Sequence, residues 1–271
     1  MTFYNLSHFI QKKFQNVLSK KYVGILTDEI SMKAYRQAFT SSTINSSSNY
    51  EFFEQMGDVS ANKFLVYYFY RRFPVLKCAQ GVKVVARLKI NYVSKDTFSR
   101  IAKQEGFWPY IQASEEWKDR RSKDLLEDVF EAFIGATEYL IDNRVKHGLG
   151  AVVIGEYLTK VFDREDISLR YTDLYDSKTR LKELFDKYGG ELGRIKYTET
   201  KQFDFEGNST TTSRILRYSS GGRGGPETIG IGVGRLKAEA QRAAAEEAIL
   251  KMRQRGFYKE EPPEYARFRN G

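Results

Sequence analysis

Between Leu125 and Leu140 apolar residues recur at three- and four-residue steps, and the stretch Val129-Phe130-Glu131-Ala132-Phe133-Ile134-Gly135-Ala136 has few polar neighbours. A helix of this pattern belongs in the interior of an α-helical domain, where other elements cover it. Yet Asp128 and Glu131 stand inside it, three residues apart. A carboxylate on an otherwise buried helix needs a cation, a donor or a proton. Any fold this chain adopts must meet that need.

A second segment poses the same problem. Tyr50-Glu51-Phe52-Phe53-Glu54-Gln55-Met56-Gly57-Asp58 leads into a helical apolar pattern that runs to Tyr70. It sets Glu51, Glu54 and Asp58 at i, i+3 and i+7, on one helix face, with no Lys or Arg between them. Taken alone, such a row is better explained by a solvated acidic face. The glycines shift the weight. Gly57 and Gly135 each cost roughly 0.5–1 kcal/mol inside a helix, which implies a close approach that a surface helix would not need. Two such helices, if they cross, would pool their acids around a divalent metal ion. An all-oxygen set suits Mg²⁺, a hard cation. One or two such ions can generate hydroxide and stabilise the leaving oxygen in phosphodiester cleavage.

The rest of the chain divides in two. Residues 1–165 read as helical, with a Ser/Thr/Asn-rich break at Thr40–Asn49 that supplies N-cap residues for the helix after it, and a further helix at Gly150–Val161. After about residue 170 the pattern changes. Ser177–Tyr188 reads as an amphipathic helix stopped by Gly189 and Gly190, and Arg194–Phe205 as a half-buried strand. Glu206-Gly207-Asn208 is a turn, Thr212–Tyr218 a second strand, Ser219–Pro226 a glycine-rich loop, Glu227–Gly232 a third strand and Ala238–Met252 an alanine-rich helix. The expected order is α-β-β-β-α. Gly256–Gly271, charged and bearing Pro262-Pro263, is expected to be a loose tail. The predicted domains are thus 1–170, 175–255 and a flexible 256–271.

Charge and cysteine narrow the classes further. There are 44 Lys+Arg against 35 Asp+Glu, net +9; residues 176–271 hold 19 against 14, so +5 of the total. That balance suits a polyanionic partner. Cys78 is alone, so no internal disulfide or cysteine zinc cluster can form, and two histidines, His8 and His147, are too few for a histidine-rich metal site. No secretory leader or run of about 18 apolar residues is present, so neither export nor a membrane span is expected, and a soluble protein of a reducing cytoplasm is.

The two acidic segments resemble the ribonuclease III family, whose signature helix reads roughly Asn-Glu-Arg-Leu-Glu-Phe-Leu-Gly-Asp and whose second motif reads Asp-x-x-Glu-Ala-x-x-Gly-Ala. The second is matched throughout, by Asp128, Glu131, Ala132, Gly135 and Ala136; the first keeps Glu51, Glu54, Gly57 and Asp58. The resemblance implies an all-α nuclease domain in which Glu54, Asp58, Asp128 and Glu131 ligate catalytic Mg²⁺, with Mn²⁺ as a substitute, and Glu51 is an accessory acid. It implies a homodimer paired through the signature helix, and an endoribonuclease that leaves 5′-phosphates and short 3′ overhangs on double-stranded RNA. Tyr50, Phe52 and Gln55 depart from the pattern, and Gln80 stands where several members carry another acid.

The C-terminal part resembles a double-stranded RNA-binding domain, a small α+β fold. Asp176–Leu184 looks like its first helix, and the resemblance implies minor-groove contacts by Thr179, Lys182 and Glu183. Gly232–Ala245 looks like its last strand and helix, with Arg235 and Lys237 at the helix start and Arg242 beyond. A helix N-terminus holds phosphate through free N–H groups and a partial positive charge, and contacts spread across two minor grooves read A-form shape. Ala238 replaces a usual basic residue and the usual Gly-Pro-x-His loop is missing, so weaker RNA affinity is expected.

Rival readings are a non-catalytic RNA binder or silencing suppressor on the same fold, and a dinucleotide loop at Gly230, Gly232 and Gly234. The glycine spacing is wrong for the second, and no parallel strand follows. Trp108, Trp117, Tyr110 and Tyr67–Tyr70 read as core, Arg71-Arg72 and Arg120-Arg121 as solvated or phosphate-facing, and Cys78 and His147 as structural.

Overall fold

The computed structural model describes residues 3–205, 207–221 and 225–268. The chain forms two compact units, 1–167 and 168–271. Unit 1 is helical: α1 (Phe3–Phe14), α2 (Lys20–Thr27), α3 (Glu29–Ala38), α4 (Glu51–Arg72), α5 (Ala79–Tyr92), α6 (Lys95–Gln104), α7 (Glu115–Arg120), α8 (Ser122–Arg144) and α9 (Leu149–Phe162). Among the described residues no helix is long and apolar enough to cross a membrane.

Helix α8 is the axis of unit 1. Every residue from Val129 to Thr137 is buried, Glu131 included, and α2, α3, α4, α6, α7 and α9 all pack on it. The core around it is aromatic. Phe133 stacks on Phe14 and Tyr35 at centroid distances of 5.6 and 5.9 Å and meets Phe107 edge-on at 5.2 Å. The Tyr35 and Thr137 hydroxyls, 2.9 Å apart, satisfy each other inside this core. Helix α4 starts where the polar break ends, because the Asn49 side chain accepts the Glu51 amide at 3.0 Å.

Unit 2 contains α10 (Tyr171–Leu174), α11 (Ser177–Lys187), α12 (Gly189–Leu192), β1 (Arg194–Phe203), β2 (Ser209–Tyr218), β3 (Glu227–Gly234), α13 (Lys237–Gln254) and α14 (Pro263–Ala266). The strands form an antiparallel sheet in the order β1-β2-β3, with Thr200 opposite Thr212 and Thr212 opposite Val233. The expected order of elements is present, and β2 begins three residues earlier than its apolar pattern does, because Ser209–Thr211 pair with Lys201–Phe203. Gly230 and Gly232 lie under α13: a Cβ on either would stand 2.2 Å from a backbone oxygen, of Ala244 or of Ala240. Their spacing serves helix-on-sheet packing. Of the expected turn and loop, Glu206, Gly222, Arg223 and Gly224 lie outside the described residues.

The tail departs from expectation. Its described part, residues 256–268, packs within unit 2 and buries Tyr265 and Phe268, at 2% and 0% exposure. Tyr265 lies against the rings of Tyr171 and Tyr175, and its hydroxyl is 3.0 Å from that of Tyr175. Charge and prolines mark the tail as loose, but two aromatic side chains with somewhere to pack outweigh them. Surface and core also sort differently from the sequence reading in places. Tyr67 and Trp108 are exposed, whereas Arg72 is tied down, donating to Tyr68 Oη and to the carbonyls of Phe162 and Glu165.

Candidate active site

Helices α4 and α8 touch backbone to backbone. A Cβ on Gly57 would sit 1.8 Å from the Glu131 carbonyl oxygen, and one on Gly135 would sit 2.0 Å from that of Phe53. No side chain fits at either place, which is why the two helix-breaking residues stand there. The crossing brings the first two turns of α4 onto the acidic face of α8. Glu54 feels the charges of Asp128, Glu51, Glu127 and Asp58, and Glu131 those of Asp58, Glu127, Glu54 and Asp128. Glu54, Asp58, Asp128 and Glu131 thus lie close enough to couple electrostatically at the crossing, and Glu51 is exposed.

The cluster has too much negative charge for its surroundings. Burial raises the Glu131 carboxyl most, and its four acidic neighbours add to this, to about 9. Glu54 is pushed up to about 7, again by burial first and by Asp128 next. Asp128 is also raised by burial, with partial relief from Tyr50, whose hydroxyl donates to Asp128 Oδ2 at 2.8 Å. Asp58 accepts from Asn62 Nδ2 at 2.8 Å. Among the described residues, neither the Glu54 nor the Glu131 carboxyl has a hydrogen-bond donor or a cation. A buried carboxyl in that position keeps a proton or takes a metal ion.

Sequence reasoning missed several members. Glu127 belongs to the cluster, but Lys95 draws it aside at 3.3 Å and also pairs with Asp124, which Arg121 holds at 2.9 Å. The signal was legible: Asp124, Glu127, Asp128 and Glu131 share one face at i, i+3, i+4 and i+7. Tyr50, a departure from the family pattern, holds one of the four acids in place. The donor set fits a hard divalent cation, being all carboxylate and short of positive charge. No group of three or more acidic, histidine or cysteine side chains among the described residues is drawn together tightly enough to hold an ion as it stands.

In unit 2, Asp176 caps α11 by accepting the Lys178 and Thr179 amides, and also the Thr179 hydroxyl at 2.7 Å. Lys182, Arg235 and Arg242 are exposed. Ser177 Oγ donates to the Arg242 carbonyl at 2.8 Å and so fastens α11 to α13. Glu183 Oε2 accepts from Tyr171 Oη at 2.6 Å and pairs with Lys259 of the tail at 2.7 Å. Lys237 is paired with Glu199 of β1.

A model of the Ribonuclease III domain matches residues 51–140, a span that contains both acidic helices. A protein of Invertebrate iridescent virus 6 named "Putative ribonuclease 3" is 40% identical over 244 residues, covering 86% of this chain and 82% of its own length. One of the same name from Frog virus 3 is 37% identical over 251 residues; the match takes in 90% of this chain and 63% of that longer relative. Among solved structures, the nuclease domain of ribonuclease III from Campylobacter jejuni aligns over 57% of this chain and 99% of its own, at 22% identity and a TM-score of 0.43.

Proposed function

The chain belongs to the ribonuclease III family and is an endoribonuclease of that type, and we propose that it cuts double-stranded RNA using Mg²⁺ held between α4 and α8. Glu54, Asp58, Asp128 and Glu131 would hold the ion, with Mn²⁺ as a substitute, and the products would be 5′-phosphates with short 3′ overhangs. The observation that carries this reading is the crossing at Gly57 and Gly135, which leaves Glu54 and Glu131 half-buried or buried without a donor or cation.

When bound there, a divalent ion supplies an acidified water and offsets charge on the leaving oxygen. The chain's own groups do the remaining work. Tyr50 orients Asp128 by its hydrogen bond, and Asn62 does the same for Asp58. Lys95 and Arg121 hold Asp124 and Glu127 at the edge, which limits the charge at the centre. Glu54 and Glu131 would hold the ion as carboxylates, so they would have to be deprotonated to do so.

Helix α4 presents Phe52, Val59 and Tyr67 to solvent, beside a groove of about 770 Å³ bordered by Tyr67 of α4 and Val152 of α9. An exposed apolar strip on the signature helix supports pairing of two nuclease units. Residues 175–255 would be the double-stranded RNA-binding domain, holding phosphates at the start of α13 through Arg235, Lys237 and Arg242, and the groove through Thr179, Lys182 and Glu183.

The direct test is cleavage of a labelled RNA duplex against the same strand unpaired, with Mg²⁺ and with chelator. Cutting of the duplex alone, abolished by chelator, is expected. Duplex binding with no cutting in Mg²⁺ or Mn²⁺ would instead leave a non-catalytic RNA binder.

Proton and metal binding are linked, and the sign is definite. Glu54 and Glu131 are raised above the ordinary carboxyl value, so the metal-free fold binds protons that the unfolded chain has released. Their contribution to stability is full below about pH 4.5 and is lost as pH rises through about 7 and about 9. Mg²⁺ binds the ionised set. Its effect on melting temperature should therefore be small near pH 5.5 and reach about 3–5 °C near pH 8 at tenfold excess over its Kd. A shift that is equal at both pH values would contradict this coupling.

A further inference from the structure

The chain's own carboxylates sit at the start of α13, where the reading above places RNA phosphate. Lys237 Nζ lies 3.3 Å from Glu199 Oε2 on β1. The other Glu199 oxygen accepts from Gln241 Nε2 at 2.5 Å, and Gln241 Oε1 accepts from Lys178 Nζ of α11 at 2.6 Å. Just before the helix, Glu239 accepts the Arg235 and Leu236 amides at 3.1 and 3.2 Å. Two cations and the last amides before α13 are thus engaged within the chain before any RNA arrives.

These contacts differ in strength. Glu239 is a local cap and part of the helix start. Glu199 reaches across from a strand. It is held in place by Gln241, which is 8% exposed, while the Lys237 side chain it pairs with is 66% exposed. A surface ion pair of that kind is weak and readily exchanged. A phosphate can take Lys237 from Glu199. The carboxylate then remains where Gln241 holds it, a like charge close to the phosphate.

We infer that Glu199 is an internal competitor for RNA phosphate at Lys237, a positioning residue that limits how tightly the duplex is held. The inference rests on the proposed phosphate contacts at the start of α13. It requires that removing the Glu199 charge strengthen binding, that the gain pass through Lys237, and that it add to the number of counterions released. A residue needed only to orient Lys237 would give the opposite sign.

The test uses the full chain in chelator, so that RNA is bound and not cut. Duplex affinity is measured over a salt series for the wild type, Glu199→Gln, Lys237→Gln and the double variant. Glu199→Gln should bind about three- to tenfold tighter, with a log–log salt slope steeper by about one phosphate contact. Lys237→Gln should weaken binding, and in the double variant the gain should vanish. Glu199→Ala, expected to act in the same direction, guards against a folding defect in the glutamine variant. If Lys237→Gln weakens binding but neither Glu199 variant tightens it, the competitor role is wrong and the phosphate contact stands. If Lys237→Gln and Arg242→Gln both leave affinity unchanged, the phosphate reading fails and the competitor role goes with it.

Discussion

Glu131→Gln is expected to lower duplex cleavage by a factor on the order of a hundred to a thousand while leaving duplex binding intact. The size follows from the setting. Glu131 is 7% exposed and meets the charges of Asp58, Glu54 and Asp128. A glutamine there has nearly the same shape but cannot provide an anionic oxygen. The same change removes a carboxyl that burial and repulsion already oppose, so the metal-free protein should melt at an equal or higher temperature at about pH 8. Its response to Mg²⁺ should shrink. Loss of activity with undiminished stability would separate a functional carboxylate from a structural one. Cleavage within about tenfold of the wild type would remove Glu131 from the site.

Gly57→Ala is expected to destabilise the protein by about 3 kcal/mol or more and to abolish most activity. In an exposed helix, Gly→Ala stabilises by about 1 kcal/mol, so the sign is itself informative. At Gly57 the new methyl would fall 1.8 Å from the Glu131 carbonyl oxygen, on a backbone that cannot step aside without parting α4 from α8. Even where the variant folds, separating the helices by a fraction of an ångström moves Glu54 and Asp58 away from Asp128 and Glu131. A displacement of about 1 Å at a reacting centre can cost a factor of about a hundred. Gly155→Ala in α9 is the control. Its nearest neighbour would be the Phe64 ring at 3.8 Å, so it should gain about 0.5–1 kcal/mol and keep full activity. Thermal melts of the two variants side by side decide the matter: equal stabilisation of both would mean that the crossing is not as close as described.

Tyr50 illustrates where motif matching loses detail. Against the family pattern it reads as a loss, a tyrosine in place of the usual asparagine. In the fold its hydroxyl is bonded to Asp128, one of the four proposed ligands. Residue type at a motif position does not indicate which neighbour that residue reaches, because the neighbour is 78 residues away in sequence. Glu183 is a second case. Its place on an RNA-binding helix motif marks it as a contact, and the motif does not tell that Tyr171 and Lys259 both reach its Oε2. The tail that supplies Lys259 reads as loose, since a composition argument weighs prolines and charges and cannot tell that Tyr265 has Tyr171 and Tyr175 to rest on.

Local periodicity and residue chemistry were enough to determine the helical first unit, the α-β-β-β-α second unit, the acids at three- and four-residue steps and the meaning of the glycines within helices. These follow from interactions among residues a few positions apart, or from the plain fact that a glycine inside a helix needs a reason. Which acids carry too much charge, which are relieved by Lys95, Arg121 or Tyr50, and which cations near α13 are already engaged by Glu199 were decided only by the tertiary structure. Burial and coulombic coupling act through space, between side chains that the chain brings together only when α4 crosses α8 and α13 lies across the sheet.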